Sequence, residues 1–175
     1  MEETPKKTGP VDFLIRQLYT CCGLGLIPKA PGTFGTLMGI PLYFLVLKLW
    51  PGNLWVYLAA VAIVFFVGWW ACERAEKDFG KHDDKRVVID EALGYLVTMF
   101  PIPFVQPLPL AFVWGFLLFR FYDIAKPGPV GAIDRKTPGG LGVMADDLVA
   151  GIFAWATMFV IALAVAFFRG APGGS

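Results

Sequence analysis

The chain has 175 residues, of which 57% are hydrophobic and only 17% are charged, and its mean hydropathy is +0.62. Soluble domains average about 45–50% apolar and about 25% charged residues, so this composition predicts one membrane-embedded domain over residues 1–175. The net charge of +1 comes without a separate basic stretch, which excludes a general nucleic-acid-binding protein. The three cysteines fit neither a disulfide framework nor a zinc site.

The chain begins with a polar arm and continues through two apolar segments. The arm, residues 1–28, becomes weakly amphipathic, which predicts a short helix at the membrane interface or a solvated arm. Residues 34–50 form the first predicted span and end at the turn signal of residues 51–53. Residues 54–72 are uncharged and come close to the roughly 20 residues that cross a ~30 Å hydrocarbon core. Residues 148–168 form the clearest span.

Residues 92–119 are also uncharged, but prolines interrupt the middle of the segment: Pro101, Pro103, Pro107 and Pro109. Because proline breaks helical hydrogen bonding, we predict two helices joined as a hairpin. Its first arm, residues 92–105, would reach roughly 21 Å at ~1.5 Å per residue, so the hairpin is either re-entrant or has its polar ends below the headgroups. The predicted fold class is therefore all-α: a polytopic membrane helical bundle with a short, proline-broken helical hairpin.

The charged residues fall on one side of the membrane when the predicted spans are followed in order. That side holds all Asp and Glu residues and all but two of the 15 Lys and Arg residues, the exceptions being Lys48 and Arg169. Because an excess of Lys and Arg marks the cytoplasmic side, we predict that the charged blocks face the cytoplasm.

Charge is concentrated in four short blocks: residues 29–33, Asp90-Glu91, residues 120–126 and residues 134–147. Asp90 and Glu91 begin a predicted helix, where capping explains one acid but not two at the edge of the lipid. Arg120 and Asp123 are spaced i, i+3 on one helical face, and Lys126 follows near it. They form either a structural ion pair or part of an active site, and ionisable residues beside a membrane favour the second reading.

The last block has glycines at residues 139–142 and then Asp146 and Asp147 before the final span. We expect a glycine-rich turn that a ligand can approach, with the two aspartates at the start of the helix. Adjacent aspartates repel an anion unless a cation intervenes, and Mg²⁺ takes oxygen ligands and bridges to phosphate. In the first block, Lys29 and Thr33 can bind phosphate, although Thr33 also suits a helix cap.

The blocks together predict metal-assisted hydrolysis of a phosphate ester, because no Cys-x5-Arg motif is present and the one histidine, His82, lies in a charged run. The predicted catalytic residues are Asp90, Glu91, Asp123, Asp146 and Asp147. The predicted Mg²⁺ ligands are Glu91, Asp123, Asp146 and Asp147. The predicted substrate-binding residues are Lys29, Thr33, Arg120 and Lys126. Which carboxylate acts as base or nucleophile, whether one or two Mg²⁺ bind, and the oligomeric state stay open.

Over roughly residues 22–168, these blocks resemble bacterial phosphatidylglycerophosphatase A. The motifs are PKAPGTFGT at 28–36, DEALG at 90–94, FRFYDIAKPGPV at 119–130 and GGLGVMADDLVAG at 139–151. The resemblance implies a Mg²⁺-dependent phosphatase of the bacterial inner membrane. Its phospholipid substrate would be phosphatidylglycerophosphate, which is hydrolysed to phosphatidylglycerol and phosphate.

A small transporter or proton-coupled carrier is the alternative, since such proteins also combine carboxylates with broken helices. Their ionisable residues lie near the middle of the bilayer, whereas those of this chain lie at the ends of the spans. A purely structural scaffold gives no reason to gather the acids.

Overall fold

The computed structural model describes residues 9–49, 53–100 and 108–170. In order, its helices are α1 (Pro10–Tyr19), α2 (Pro31–Leu49), α3 (Leu54–Phe79), α4 (Ile89–Thr98), α5 (Leu108–Ala125), α6 (Pro129–Lys136) and α7 (Gly139–Gly170), with a short 3₁₀ turn at Leu24–Leu26. No strand occurs in these ranges, which confirms the predicted all-α fold.

Within the described residues, three helices are long and apolar enough to cross a membrane: α2, α3 and residues 139–168 of α7. Most of their residues are not buried by other parts of the protein, and large apolar side chains such as Trp55, Phe66 and Phe167 are exposed. A surface of this kind is stable against lipid rather than water. The chain is therefore a membrane protein, as its composition predicts.

α4 and α5 are separate helices, which confirms the predicted break in the 92–119 segment. Pro101, Pro103 and Pro107 lie outside the described residues, while Pro109 is in the first turn of α5. With 10 residues, α4 is about 15 Å long and too short to cross the bilayer. It is almost wholly buried and packs most extensively against α7 and α2, so it forms the centre of the bundle.

Close backbone contacts hold α4 between its neighbours. A Cβ atom on Gly151 of α7 would lie 2.4 Å from the carbonyl oxygen of Gly94 in α4, and one on Gly39 of α2 would lie 2.7 Å from a ring carbon of Tyr95. Real Cβ atoms do not approach so closely, so these positions need glycine. The two helices consequently pack close to α4 on both sides.

The start of α7 differs from the prediction. The helix begins at Gly139, so the glycines form its first turn, and Asp146 and Asp147 lie inside the helix rather than at its start. A Cβ on Gly140 would lie 2.8 Å from both the Cβ of Cys72 and the carbonyl oxygen of Trp69. The predicted glycine-rich ligand turn is therefore wrong, because these glycines let α7 pack closely against α3.

The N-terminal arm contains α1, which is attached to the end of α3. Arg74 of α3 forms an ion pair with Asp12 at 2.6 Å, and the Tyr19 hydroxyl donates to Asp78 at 3.2 Å. Phe13 and Leu14 are exposed, as the interfacial-helix interpretation requires. Placement of this arm at the membrane interface stays a prediction.

Candidate active site

Three carboxylates meet at one end of the bundle. One oxygen each from Asp90, Glu91 and Asp147 lies within 4.8 Å of the other two, and we call these residues the carboxylate cluster. Asp90 and Asp147 are only 7% and 4% exposed. Asp90 Oδ1, Glu91 Oε2 and Asp147 Oδ2 are buried without a hydrogen-bond partner in the described part of the chain. Buried polar atoms without partners are unfavourable, so this cluster is suited to a cation.

Local structure brings these acids together. Asp90 and Glu91 are in the first turn of α4, and the N-cap is Val88, so Asp90 is not the capping residue. Asp147 approaches from α7, where a Cβ on Gly94 would lie 2.8 Å from its carbonyl oxygen. Gly94 therefore lets the two helices come close enough for their carboxylates to meet.

Two cations, one in the last turns of α5 and one just after it, adjoin the cluster, and we call Arg120 and Lys126 the cationic pair. Arg120 Nη1 donates to Asp123 Oδ2 at 2.6 Å and lies 3.9 Å from Glu91 Oε1. Lys126 Nζ donates to Asp146 Oδ2 at 2.6 Å. The arrangement places positive groups beside a site of several negative groups, which is the pattern needed to bind a metal ion together with a phosphate.

The pKa values of two cluster residues indicate that their ionised forms need a nearby positive charge. Burial, together with the nearby charge of Asp147, raises the pKa of Glu91 to about 8. Burial also raises the pKa of Asp90 well above its usual range, with Glu91 adding to the effect. A divalent cation among these oxygens would stabilise their ionised forms.

The sequence matches the phosphatidylglycerophosphatase A family over residues 17–162, a range that includes the carboxylate cluster and the cationic pair. The chain belongs to this family. Membership confirms the resemblance drawn from the four motifs and makes the protein a member of a family of phosphatases.

The chain is 37% identical to "Phosphatidylglycerophosphatase A" of Haemophilus influenzae over 91% of its own length and 96% of the relative's. It is 37% identical to "Phosphatidylglycerophosphatase A" of Escherichia coli strain K12, over 79% and 78% of the two chains. It is also 36% identical to "Putative phosphatidylinositol-3-phosphatase" of Bacteroides thetaiotaomicron, over 82% and 90%. No solved structure matches the chain.

The structure brings most of the predicted site residues of this protein together. Asp90 joins Glu91 and Asp147 in the carboxylate cluster, although Asp90 was not among the predicted metal ligands. Asp123 and Asp146 pair with Arg120 and Lys126. The carboxylate of Asp123 also faces that of Asp147. The catalytic and metal-binding roles of Asp123 and Asp146 stay predictions.

The first motif contributes through a residue that the sequence prediction omitted. A Cβ on Gly32 would lie 2.4 Å from Glu91 Oε1 and 3.0 Å from Arg120 Nη1, so the beginning of α2 touches the site. Thr33 is partly buried in the first turn of α2, inside the helix rather than at its cap. Lys29 is exposed just before this turn. Gly32 lies between Lys29 and Thr33 in the sequence, and this position was the signal that could have identified it as a site residue.

A second omitted residue is Asp83, in the loop between α3 and α4. Its negative charge acts on both Asp90 and Asp123, so it lies near the site. Its neighbour Asp84 instead pairs with Arg86 at 2.7 Å. In the sequence, Asp83 falls within a charged run that reads as solvated, and only the folded loop brings it near the cluster.

Proposed function

We propose that this protein is a Mg²⁺-dependent phosphatidylglycerophosphatase. It hydrolyses phosphatidylglycerophosphate to phosphatidylglycerol and phosphate at the cytoplasmic face of the bacterial inner membrane. The observation that carries the proposal is the carboxylate cluster, with its buried unpartnered oxygens, beside the cationic pair at one end of a membrane bundle.

The residues of the cluster fit Mg²⁺. Asp90, Glu91 and Asp147 provide only oxygen donors, which this hard cation prefers, and their unpartnered oxygens are available to it. When bound, Mg²⁺ supplies charge neutralisation for phosphate oxygens and activation of water. The cluster residues are thus the metal ligands of this proposal.

The cationic pair is placed to bind the terminal phosphate. Arg120 presents a planar guanidinium that can contact two phosphate oxygens, whereas Lys126 presents a point charge. Asp123 and Asp146 orient these cations through their 2.6 Å contacts. These contacts hold the cations next to the metal ligands before substrate arrives, which lowers the reorganisation needed in the transition state.

The chemical step consumes one water molecule. Its oxygen bonds to phosphorus, the phosphorus–oxygen bond to the glycerol group breaks, and the glycerol oxygen ends with a proton derived from water. Asp123, between Arg120 and Asp147, is the carboxylate that we assign to accept the proton from the attacking water.

The cytoplasmic orientation rests on the distribution of cations along the helices. The site lies where α2 begins, since Gly32 contacts Glu91 and Arg120. Lys48 is at the other end of α2, about 24 Å away at ~1.5 Å per residue. When the spans are followed in order, all but two of the 15 Lys and Arg residues, Lys48 and Arg169, fall on the side of the site, and such an excess is typical of the cytoplasmic side.

Phosphatidylinositol 3-phosphate is a second candidate substrate, because the Bacteroides relative named for it is almost as similar as the others. Both lipids present a phosphate monoester at the membrane surface. No relative supports the transporter alternative, since the three matching proteins all have the names of phosphatases.

The test is phosphate release by the purified protein in detergent micelles. Phosphatidylglycerophosphate, phosphatidylinositol 3-phosphate and phosphatidic acid are compared, with Mg²⁺ and with EDTA. We expect the first lipid to give the highest kcat/KM, EDTA to abolish turnover, and added Mg²⁺ to restore it. Asp147→Asn is the inactive control. Preference for the inositol lipid would change the substrate, and full turnover in EDTA would rule out the metal-dependent reaction.

A further inference from the structure

An apolar cleft of about 290 Å³ opens between α3 and α7, below the carboxylate cluster. Its lining consists of apolar side chains from three helices and the residues that follow α4: Leu58, Val61, Val97, Phe100, Leu148, Ile152 and Trp155. Leu58 of α3 and Ile152 of α7 are 41% and 45% exposed, while Val97 of α4 is buried. The cleft therefore opens towards the lipid-facing surface and has α4 as its floor.

The cleft lies next to the active site along two helices. Leu148, in its lining, directly follows Asp147 of the carboxylate cluster. On α4, Val97 comes six residues after Glu91, about 9 Å further along the helix at ~1.5 Å per residue. A lipid with its phosphate at the cluster has its hydrocarbon at this depth, just beneath the headgroup layer.

Contacts around the cleft fix its shape. The Tyr57 hydroxyl donates to the carbonyl oxygen of Leu96 at 2.6 Å, which ties α3 to the end of α4. The ring of Trp155 stacks on Phe159 with centroids 5.7 Å apart, and Phe100 meets Trp155 edge-on at 5.8 Å. These close-packed aromatic contacts and the Tyr57 hydrogen bond define the walls of the cleft.

We propose that this cleft holds an acyl chain of the phospholipid substrate while the carboxylate cluster and cationic pair hold its phosphate. The inference rests on the proposed lipid phosphatase function and adds a second recognition site for the same molecule. Cavities of about 150 Å³ lined by similar side chains exclude water and accept apolar guests. A helix, which is about 10 Å wide with its side chains, is too large for the cleft, whereas a single hydrocarbon chain is not.

Two tryptophan substitutions on α7 provide a matched test. Ile152→Trp fills the cleft, whereas Ile161→Trp adds the same bulk outside it, and the two isoleucines are each 45% exposed. The kcat/KM of each variant is measured for dioleoyl phosphatidylglycerophosphate and for the same headgroup without acyl chains. Lost burial of two methylenes corresponds to about a tenfold change. We expect Ile152→Trp to lower the ratio of the two kcat/KM values about tenfold, mainly through KM, and Ile161→Trp to leave it unchanged.

An unchanged ratio in Ile152→Trp, or an equal loss with both substrates, would overturn the proposal. A binding measurement keeps the inference testable if hydrolysis fails. In a variant whose other tryptophans are phenylalanine, Trp155 fluorescence is followed in vesicles containing a small fraction of lipid with brominated acyl chains. Saturable quenching by brominated phosphatidylglycerophosphate, stronger than that by brominated phosphatidylcholine, supports the inference. Equal quenching by both means that the cleft takes only bulk membrane lipid, and it overturns the assignment even for an active enzyme.

Discussion

The ammonium group of Lys126 lies 2.6 Å from Oδ2 of Asp146, and this contact joins the end of α5 to α7 beside the carboxylate cluster. Lys126 has a positive φ of 42°, so the chain leaves the helical conformation at this residue while its side chain points back to α7. Asp146 also accepts from the backbone N–H of Asp147 at 3.0 Å. The cation is thus positioned by a residue next to a proposed metal ligand.

Replacing Lys126 with alanine should separate phosphate binding from metal binding. The variant loses a point charge for the phosphate but keeps Asp90, Glu91 and Asp147, so we expect KM to rise and Mg²⁺ affinity to remain near the wild-type value. Loss of one preorganised electrostatic partner costs about 10²–10³ in rate where it acts on the transition state. Lys85→Ala, at an exposed loop position, is the control. A wild-type kcat/KM in Lys126→Ala would contradict phosphate binding by this lysine and would assign it only an anchoring role at the membrane interface.

Arg120→Lys tests the need for a planar fork at the other cation. The charge stays, but two parallel hydrogen bonds to phosphate oxygens are lost, so we expect kcat/KM to fall about tenfold or more. Arg74→Lys is a matched control, because Arg74 forms ion pairs with Asp12 and Asp78 away from the site. Steady-state kinetics on the lipid substrate check the pair, and similar values for both variants would contradict the bidentate role.

How much the sequence could predict differs between the spans and the site. Long apolar runs bounded by turn signals predicted α2, α3 and the long part of α7, because lipid solvation imposes a length on each helix. The beginning of α7 was mispredicted, since Gly139 and Gly140 have the pattern of a turn. Their actual role depends on packing against Cys72 and Trp69, which are distant in sequence.

The sequence predicted which charged segments form the site, but it did not predict how their side chains are arranged in space. Charge patterning placed Asp90, Glu91 and Asp147 at one end of the bundle. Which carboxylate oxygens meet depends on the depth to which α4 inserts between α2 and α7, and that depth is set by glycine contacts such as Gly94 with Asp147. The approach of Asp83 depends on the fold of a loop and has no periodic signal in the sequence.

Gly32→Ala should damage the site without adding or removing a charge. Its Cβ would lie 2.4 Å from Glu91 Oε1 and 3.0 Å from Arg120 Nη1, so the Glu91 side chain must move. Because both neighbours are the ends of flexible side chains, we expect the melting temperature to change little, whereas a displaced Glu91 should lower kcat at least tenfold at saturating lipid. In Gly9→Ala the new Cβ has its nearest neighbour at 3.9 Å. This control should retain wild-type kcat and melting temperature; an equally active Gly32→Ala would show that the contact is not needed.

The effect of Mg²⁺ on stability should depend on pH through Glu91. Its folded pKa of about 8 exceeds the value of about 4.3 in an unfolded chain. Between these two pKa values the metal-free folded state therefore binds one more proton than the unfolded chain. The free energy of unfolding contributed by protonated Glu91 is full below about pH 4.3 and is lost as the pH rises through about 8. Mg²⁺ competes with that proton. We expect Mg²⁺ to raise the Tm more at about pH 8.5 than at about pH 6, and Glu91→Gln to reduce this difference. An equal rise in the Tm of the wild type on adding Mg²⁺ at both pH values would contradict this prediction.

Cysteine labelling should place the active site on the cytoplasmic side. α3 has 26 residues, so it is about 39 Å long and exceeds the ~30 Å hydrocarbon core. Asn53 precedes this helix and Lys85 follows it, and both are exposed. In a background without Cys21, Cys22 and Cys72, a membrane-impermeant maleimide applied to intact cells should label Asn53→Cys but not Lys85→Cys. Both should react after permeabilisation, which controls for accessibility. Labelling of Lys85→Cys alone in intact cells would place the carboxylate cluster on the outer face, and labelling of both would mean that α3 does not cross the membrane.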